Sequence, residues 1–348
     1  MRSPWFLRAV LLLVGLVPVA GVRAQAVNLP MAVTNNAVAV IATGPQRGIY
    51  SFLGLDSTKR WSGATTRAFV VDPVTGKSRE LRSVPGERGR LAATTQVWHG
   101  RIYLFGGYTV DSAGAERSLP SVDIYDPATD RWSAGAPTPI AVDDAVSGVY
   151  RDSLIYLVSG WHDRDNVTAV QVYDPATDKW ASATSVPGVG VFGHAGAIAG
   201  NALVYIDGVQ TGIDSTIKFA MKPQAWLGSI DPDNPGVIRW TKLPPHPGPA
   251  LFRAAAGVCG TTVVFAGGTD TPYNYNGMGY AGSPAAPRDW VFGWDLKARR
   301  WLELALLPAP SMDHRGLAVA GGAVWVVGGM RAGQKVTAAA QKVKVAGC

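Results

Sequence analysis

Six polar residues stand near the start of short apolar runs that end in glycine: Asn36, Arg90, Asp144, His194, Arg253 and Arg315, with His314 an alternative for the last place. They are aligned by counting back from the pairs Leu53-Gly54, Gly106-Gly107, Ser159-Gly160, Asp207-Gly208, Gly267-Gly268 and Gly328-Gly329. Three arginines facing one carboxylate make a lopsided set that invites an anion, because guanidinium groups grip carboxylates through paired hydrogen bonds. A wet channel wall also carries polar residues without any ligand, so the set is a candidate binding ring. Asp207 is an oddity of another kind, since it fills a slot that is glycine in the more regular copies. Burial or a nearby arginine would set its pKa, and a shifted carboxyl can serve as general acid or base. A carboxylate satisfied by backbone donors is an equal reading. Asp144, His194 and His314 are the other acid–base candidates.

Between the apolar runs lie stretches rich in aromatic and amide groups: Tyr108 and Asp111, then Trp161 to Arg164, then Gln210, then Tyr273, Tyr275, Asn276 and Tyr280. Aromatic faces beside amides and charges suit sugars, whose apolar ring faces stack while their hydroxyls hydrogen-bond. Trp161 reads equally as a residue packed on a neighbouring element. The stretch from Thr269 to Arg288 is long, and loops of that length are usually functional or disordered.

The elements that must position these residues recur along the chain. In Arg101–Trp132 an alternating run (Ile102, Tyr103, Leu104, Phe105) ends in Gly106-Gly107, a polar stretch follows, and a second run ends in Tyr125-Asp126-Pro127 before Trp132. A copy at Leu154–Trp180 keeps the same parts, with the tryptophan again seven residues after the tyrosine. Weaker copies precede and follow, and the last one, around Ala323–Val345, stops a strand short, while Val27-Asn28-Leu29-Pro30 offers a strand at the other end. This periodicity predicts an all-β, six-bladed β-propeller of four antiparallel strands per blade, its last blade completed by the N-terminal strand, which leaves no open sheet edge between first and last blades. Ligands are expected where the innermost strands meet the loops joining second and third strands, at one mouth of the axial channel. The most regular copy explains closure and, by that regularity, is expected to say little about function.

Of 348 residues, 47% are hydrophobic and 41 are glycine, which suits a globular, turn-rich β protein. Arg2 and Arg8, the apolar run Ala9–Val22 and the small-residue site at Ala24 read as a signal peptide over 1–24, with the propeller over 25–348. Gly15 and Pro18 break the apolar run, so no membrane association is expected after cleavage. Removing the leader takes the formal charge from +7 to +4. The basic residues are scattered, which argues against nucleic acid. Export implies an oxidising compartment for Cys259 and Cys348. A bridge between them is one reading; one buried and one free terminal thiol is the reading the sequence favours, since no Cα separation can be taken from it. No Cys/His spacing suggests a metal.

The Gly-Gly, Tyr and Trp spacing resembles the kelch repeat over essentially all of 25–348. Within kelch proteins, the exported six-bladed form with a split last blade is similar to the bacterial N-acetylneuraminate epimerases, or sialic acid mutarotases. Val264-Phe265-Ala266-Gly267-Gly268, followed by Tyr275-Asn276-Gly277 and Tyr280-Ala281, adds to that resemblance. It implies a periplasmic protein acting on an acidic sugar by acid/base exchange at the anomeric centre, without a cofactor. In that family a catalytic Glu follows the glycine of the fourth blade and an Arg comes a few residues later; here Val209 and Asp214 stand there, so that pair does not carry over. A copper radical oxidase is disfavoured by the blade number and by the position of Cys259. Two functions therefore stand: a mutarotase-like isomerase, and a non-catalytic carbohydrate-binding or protein-docking module.

Overall fold

The computed structural model describes residues 27–214 and 217–348, the side chains of 213 and 214 excepted. The expected leader, 1–24, lies outside the described residues. Alternation of apolar and polar positions makes short strands, and tight turns fold them into antiparallel sheets. Blade 2 shows the plan: Thr94–Trp98, Arg101–Phe105, Val122–Asp126 and Arg131–Ala134 pair in that order from axis to rim. Blades 1, 3, 4 and 5 repeat it from innermost strands Ala37–Ile41, Val146–Tyr150, Ala195–Ala199 and Ala255–Cys259. Blade 6 supplies three strands, starting at Ala318–Val319. Its outer place is taken from the other end of the chain. Asn28 bridges Ala339, the Leu29 N–H donates to Ala338 O at 2.8 Å, and the Ala340 N–H donates to Val27 O at 2.8 Å. Each innermost strand touches the next, and that of blade 6 touches that of blade 1, so the ring is closed.

The glycine pairs are explained by backbone shape. Gly106 and Gly107 have φ of 60° and 86°, and a Cβ on Gly107 would lie 2.7 Å from Leu91 O. The first slot of the pair tolerates Leu53, Ser159 and Asp207, all left-handed, whereas the second is glycine in every blade. The recurring tryptophans join blades. Trp132 Nε1 donates to Arg82 O (3.0 Å), Trp180 to Ala136 O (2.9 Å) and Trp301 to Pro244 O (2.8 Å), each on the segment leaving the preceding blade. The Trp132 ring also meets Phe52 of blade 1 edge-on at 5.6 Å, contributing apolar burial across the seam.

Cys259 and Cys348 form a disulfide with Cα atoms 4.9 Å apart, so the expectation of two separate thiols is corrected. The last residue of the chain is brought to the innermost strand of blade 5 because Val343 and Val345 pack beside Cys259 in the same apolar cluster.

Four of the connections between second and third strands form small ribbons. These are Tyr108–Val110 with Glu116–Ser118, Trp161–His162 with Asp165–Asn166, Val209–Asp214 with Ile217–Met221, and Met330–Arg331 with Lys335–Val336. They gather over one mouth of the channel.

Candidate functional site

The axis matches the count from the glycines at Asp144 and Arg253 and departs from it by one or two residues in the other four blades. In each blade the second-to-third-strand connection bridges back to the residue ahead of the innermost strand: Thr34, Leu91, Asp143, Phe192, Phe252 and Met312. The following residue, Asn35, Ala92, Asp144, Gly193, Arg253 or Asp313, is left-handed in every case, with φ between 52° and 74°. This turn directs hydrogen bonds sideways. Asp144 N–H donates to Ala92 O (3.0 Å), Gly193 to Asp144 O (3.0 Å), Arg253 to Gly193 O (2.7 Å), His314 to Arg253 O (3.1 Å) and Asn35 to Asp313 O (3.1 Å). The sixth link is different, because the Ala92 N–H donates to the Asn35 side-chain Oδ1 at 2.5 Å.

Four charges fill the centre. Arg253 clamps Asp144 through Nε (3.3 Å) and Nη2 (2.7 Å) and reaches Asp313 through Nη1 (3.2 Å). Arg315 pairs with Asp144 at 2.5 Å and faces Asp313 at 3.7 Å. Asp313 also accepts from Thr34 Oγ1 (2.6 Å), Asn35 Nδ2 (2.9 Å) and Tyr273 OH (3.0 Å). Burial acts to raise the Asp144 pKa, but the two guanidinium groups outweigh it and hold the carboxylate below its usual range. Sequence reasoning missed Asn35 and Asp313; counting two residues back from the start of the innermost strand finds the whole ring except Asp313.

The predicted ring is therefore corrected member by member. Asp144 and Arg253 belong to it. Asn36 turns away to Ser51 Oγ (2.8 Å) and Val327 O (3.4 Å), and Arg90 leaves the axis to pair with Asp123 at 2.5 Å. Arg315 is inside, but both its ion-pair partners are carboxylates, and its Nε donates to Asn35 Oδ1 (3.1 Å). The three-to-one excess of arginine disappears once Asp313 and Asp123 are counted. His194 and His314 line a channel of about 370 Å³ together with Arg315, where they bond Val158 O and Ser311 Oγ. Burial lowers their pKa values to about 4 and about 3. Asp207 lies behind the wall: it is fully buried, and one oxygen meets His246 Nε2 (2.7 Å) and the Leu251 N–H (2.8 Å). It is the satisfied carboxyl, not an axial one.

On the ribbon side of the quartet is a cavity of about 270 Å³. Its floor is Asp144 and Arg253; its polar side is Glu116, Asp143, Asp163, Lys218 and Asn274; its aromatic side is Trp161, Phe192, Phe219 and Tyr280, beside Tyr108. Of the aromatic residues expected from the loops, Tyr108, Trp161 and Tyr280 line this mouth. Tyr273 is instead fully buried on Asp313, Tyr275 packs against the cluster of Leu55, Leu91 and Tyr108, and Asn276 Oδ1 accepts from the Met278 N–H (3.0 Å). Gln210 does not line the cavity. The aromatic side holds together through ring contacts: Trp161 to Phe192 (5.3 Å) and Phe219 (5.5 Å), and Phe219 to Tyr280 (4.4 Å).

Glu116 and Asp143 are the acid–base groups that sequence reasoning overlooked. Burial, with the neighbouring charges of Asp144 and Glu116, pushes Asp143 well above the usual carboxylate range, although Ser118 Oγ donates to its Oδ2 at 2.6 Å. Glu116 is reached by water yet crowded by protein on most sides, and that crowding raises its pKa too. The cavity thus holds one carboxyl pushed towards its protonated form, one pushed towards its ionised form, and an accessible group between them in character, the separation of environments that divides acid from base roles.

The Kelch motif model matches residues 89–139, which is blade 2 with its lead-in. Kelch-like protein terF of Aspergillus terreus is 30% identical over 145 residues, 41% of this chain, and the chain spans only 30% of that relative's length. The solved structure of YjhT aligns over 92% of this chain and 97% of its own with a TM-score of 0.73 at 19% identity, a likeness of fold. The motif match, the closed ring and that superposition agree: the chain is an all-β, six-bladed β-propeller that carries a Kelch motif in its second blade.

Proposed function

We propose that the protein binds a carbohydrate at the ribbon-side mouth and catalyses exchange at its anomeric centre without a cofactor. The observation that carries this is the cavity's division into an aromatic side (Trp161, Phe192, Phe219, Tyr280) and a polar side (Glu116, Asp143, Asp163, Asn274). A pyranose has the same division, an apolar face and a rim of hydroxyls. Its hydroxyls would meet carboxyl and amide acceptors while the ring stacks.

The proposed chemistry needs two groups. Glu116, as carboxylate, takes the proton of the anomeric hydroxyl; Asp143, kept protonated, gives one to the ring oxygen. The C1–O5 bond opens, the aldehyde carbon rotates, and reclosure on its other face returns both protons. Ser118 leaves one oxygen of Asp143 free to carry the proton it gives. Export remains part of the proposal. The Cys259–Cys348 bond supports it, since disulfides persist in oxidising compartments such as the periplasm.

NMR exchange spectroscopy of α and β anomers tests the reading. Purified protein should speed exchange for at least one sugar, Glu116→Gln should slow it by about 100-fold or more, and the rate should fall at both pH extremes. Spontaneous rates across a panel of sugars would sink the catalytic part. One observation favours a second reading, binding without catalysis: Val209, at the site where the resembling epimerases carry Glu, is fully buried and packs on Phe192 and Phe219. In that case sugars raise the unfolding temperature while exchange stays at its spontaneous rate.

A further inference from the structure

We infer that the sugar taken at this mouth is one bearing an ammonium group, in preference to its neutral parent or a carboxylated form. The inference rests on the proposed carbohydrate site and names its substrate class. It runs against the anion expected from the arginine content of the sequence, and the reason is where the arginines end up.

A ligand carboxylate needs a guanidinium or ammonium free to meet it. Arg253 and Arg315 each face both Asp144 and Asp313, and Arg90 is held by Asp123 outside the cavity. Taking either axial arginine for a ligand would leave two buried carboxylates sharing one guanidinium, an imbalance of buried charge that costs several kcal/mol. Apart from Lys218, which lies over the aromatic side, the unpaired charges of the mouth have the opposite sign. Among the described residues, neither Glu116 nor Asp163 has an ion-pair partner within 4.0 Å; Asp163 accepts only the Ser118 N–H (2.9 Å) and Glu116 stands at the rim. A carboxylated sugar would have to enter past these two and come to rest above Asp144.

The aromatic side shows the same preference. Lys218 Nζ sits 5.1 Å from the centre of the Phe219 ring and 5.9 Å from that of Tyr280. That is the distance at which an ammonium is attracted to an aromatic face. The mouth therefore already receives one ammonium, supplied by its own chain, on a wall whose opposite side is carboxylate. A second ammonium, carried by a ligand, would find Glu116 and Asp163 to neutralise it and the faces of Trp161 and Tyr280 to cover it. Among the described residues that line the cavity, Lys218 is the positive charge at the rim, and it lies near enough to Glu116 to lower that group's pKa.

The test is isothermal titration calorimetry of the full mature chain. The probes are three sugars of one ring configuration, an amino sugar, its neutral parent and the uronic acid, in the gluco, galacto and manno series, at mildly acidic pH where the amine is charged. The amino sugar should bind about fivefold more tightly than its parent, equivalent to about 1 kcal/mol, and the uronic acid more weakly than either. Glu116→Gln should bring the ratio of amino to neutral sugar towards unity, while Lys218→Ala should increase it. Both residues are exposed, so both variants should fold, and the opposite signs separate a charge effect from general damage. Uronic acid binding as tightly as the amino sugar, or amino and neutral sugars binding alike, overturns the inference and leaves the carbohydrate site standing. Binding of no sugar in any series overturns both.

Discussion

Asp313→Asn isolates the charge that closes the axis. The substitution keeps the shape of the side chain, its Oδ1 can still accept from Asn35, Tyr273 and Arg253, and Thr34 Oγ1 can turn to accept from the new amide. What changes is the sum of the quartet. Asp144 and Asp313 balance Arg253 and Arg315 in the native protein; the variant leaves a net positive charge in a site where all four side chains are at most 4% exposed. An uncompensated charge at such depth costs about 3–5 kcal/mol. With an unfolding entropy of about 2.1 cal/mol/K per residue over about 320 residues, that is a midpoint lowered by roughly 5–7 °C. Urea is the better denaturant for measuring the free energy, because guanidinium is itself a salt and screens charges. The double variant Asp313→Asn/Arg315→Met removes one charge of each sign and should recover part of the loss, so its destabilisation falls short of the sum of the two singles. A single variant within about 1 kcal/mol of native, or a double variant equal to that sum, would refute the view that charge balance holds the centre.

Two further outcomes follow from features away from the mouth. Burial acts to lower the pKa of His246, but the hydrogen bond and charge of Asp207, with the Pro247 carbonyl, outweigh it and raise it, while burial raises Asp207. Both shifts carry the same sign, each in its own window: the stability from His246 is whole below the unfolded pKa of His, about 6.5, and fades as pH rises through its raised folded value, while that from Asp207 is whole only below the unfolded pKa of Asp, about 3.9, and fades as pH rises through its own raised value. Urea titrations of wild type and His246→Gln across the His246 window should show the decline in the first and not the second. Reduction of the Cys259–Cys348 bond opens a loop with a sequence separation of 89 and should lower stability by about 2–4 kcal/mol, read as a shifted urea midpoint with and without dithiothreitol; an unchanged midpoint would show that the apolar cluster around Cys259 already holds the C-terminus.

The fold was legible because its signals are periodic and local. Tyr, Trp and paired glycines recur for reasons repeated in each blade: a carbonyl to receive Trp132 or Trp180, a left-handed turn at Gly106 and Gly107. The site was less legible because the axial ring selects a backbone conformation and leaves side chains unconstrained. Ala92 and Gly193 satisfy it as well as Asp144 or Arg253 does, so residue type gave no register, and counting from the glycines placed Asn36 and Arg90 where Asn35 and Ala92 belong. Asp313 escaped because the innermost strand of blade 6 is short and starts late, at Ala318. Glu116 escaped for an opposite reason. It lies within the most regular repeat, Arg101–Trp132, which had been expected to carry little function, and only the tertiary meeting of its ribbon with those of blades 3 and 4 brings it to Asp143 and Lys218. Asp207 stood out in the sequence as a break in pattern; its partner His246, 39 residues on, turns that break into ordinary scaffolding.

The ring is fastened in two independent places. At the rim, Val27 and Leu29 hold the edge of blade 6 through main-chain bonds; at the hub, Thr34 and Asn35 reach Asp313 through side chains and backbone. Trimming the chain ahead of Pro30 would loosen the outer fastening and leave the inner one engaged. The segment ahead of Pro30 can therefore be shortened, redrawn or nicked without unlatching the channel or disturbing the mouth above it.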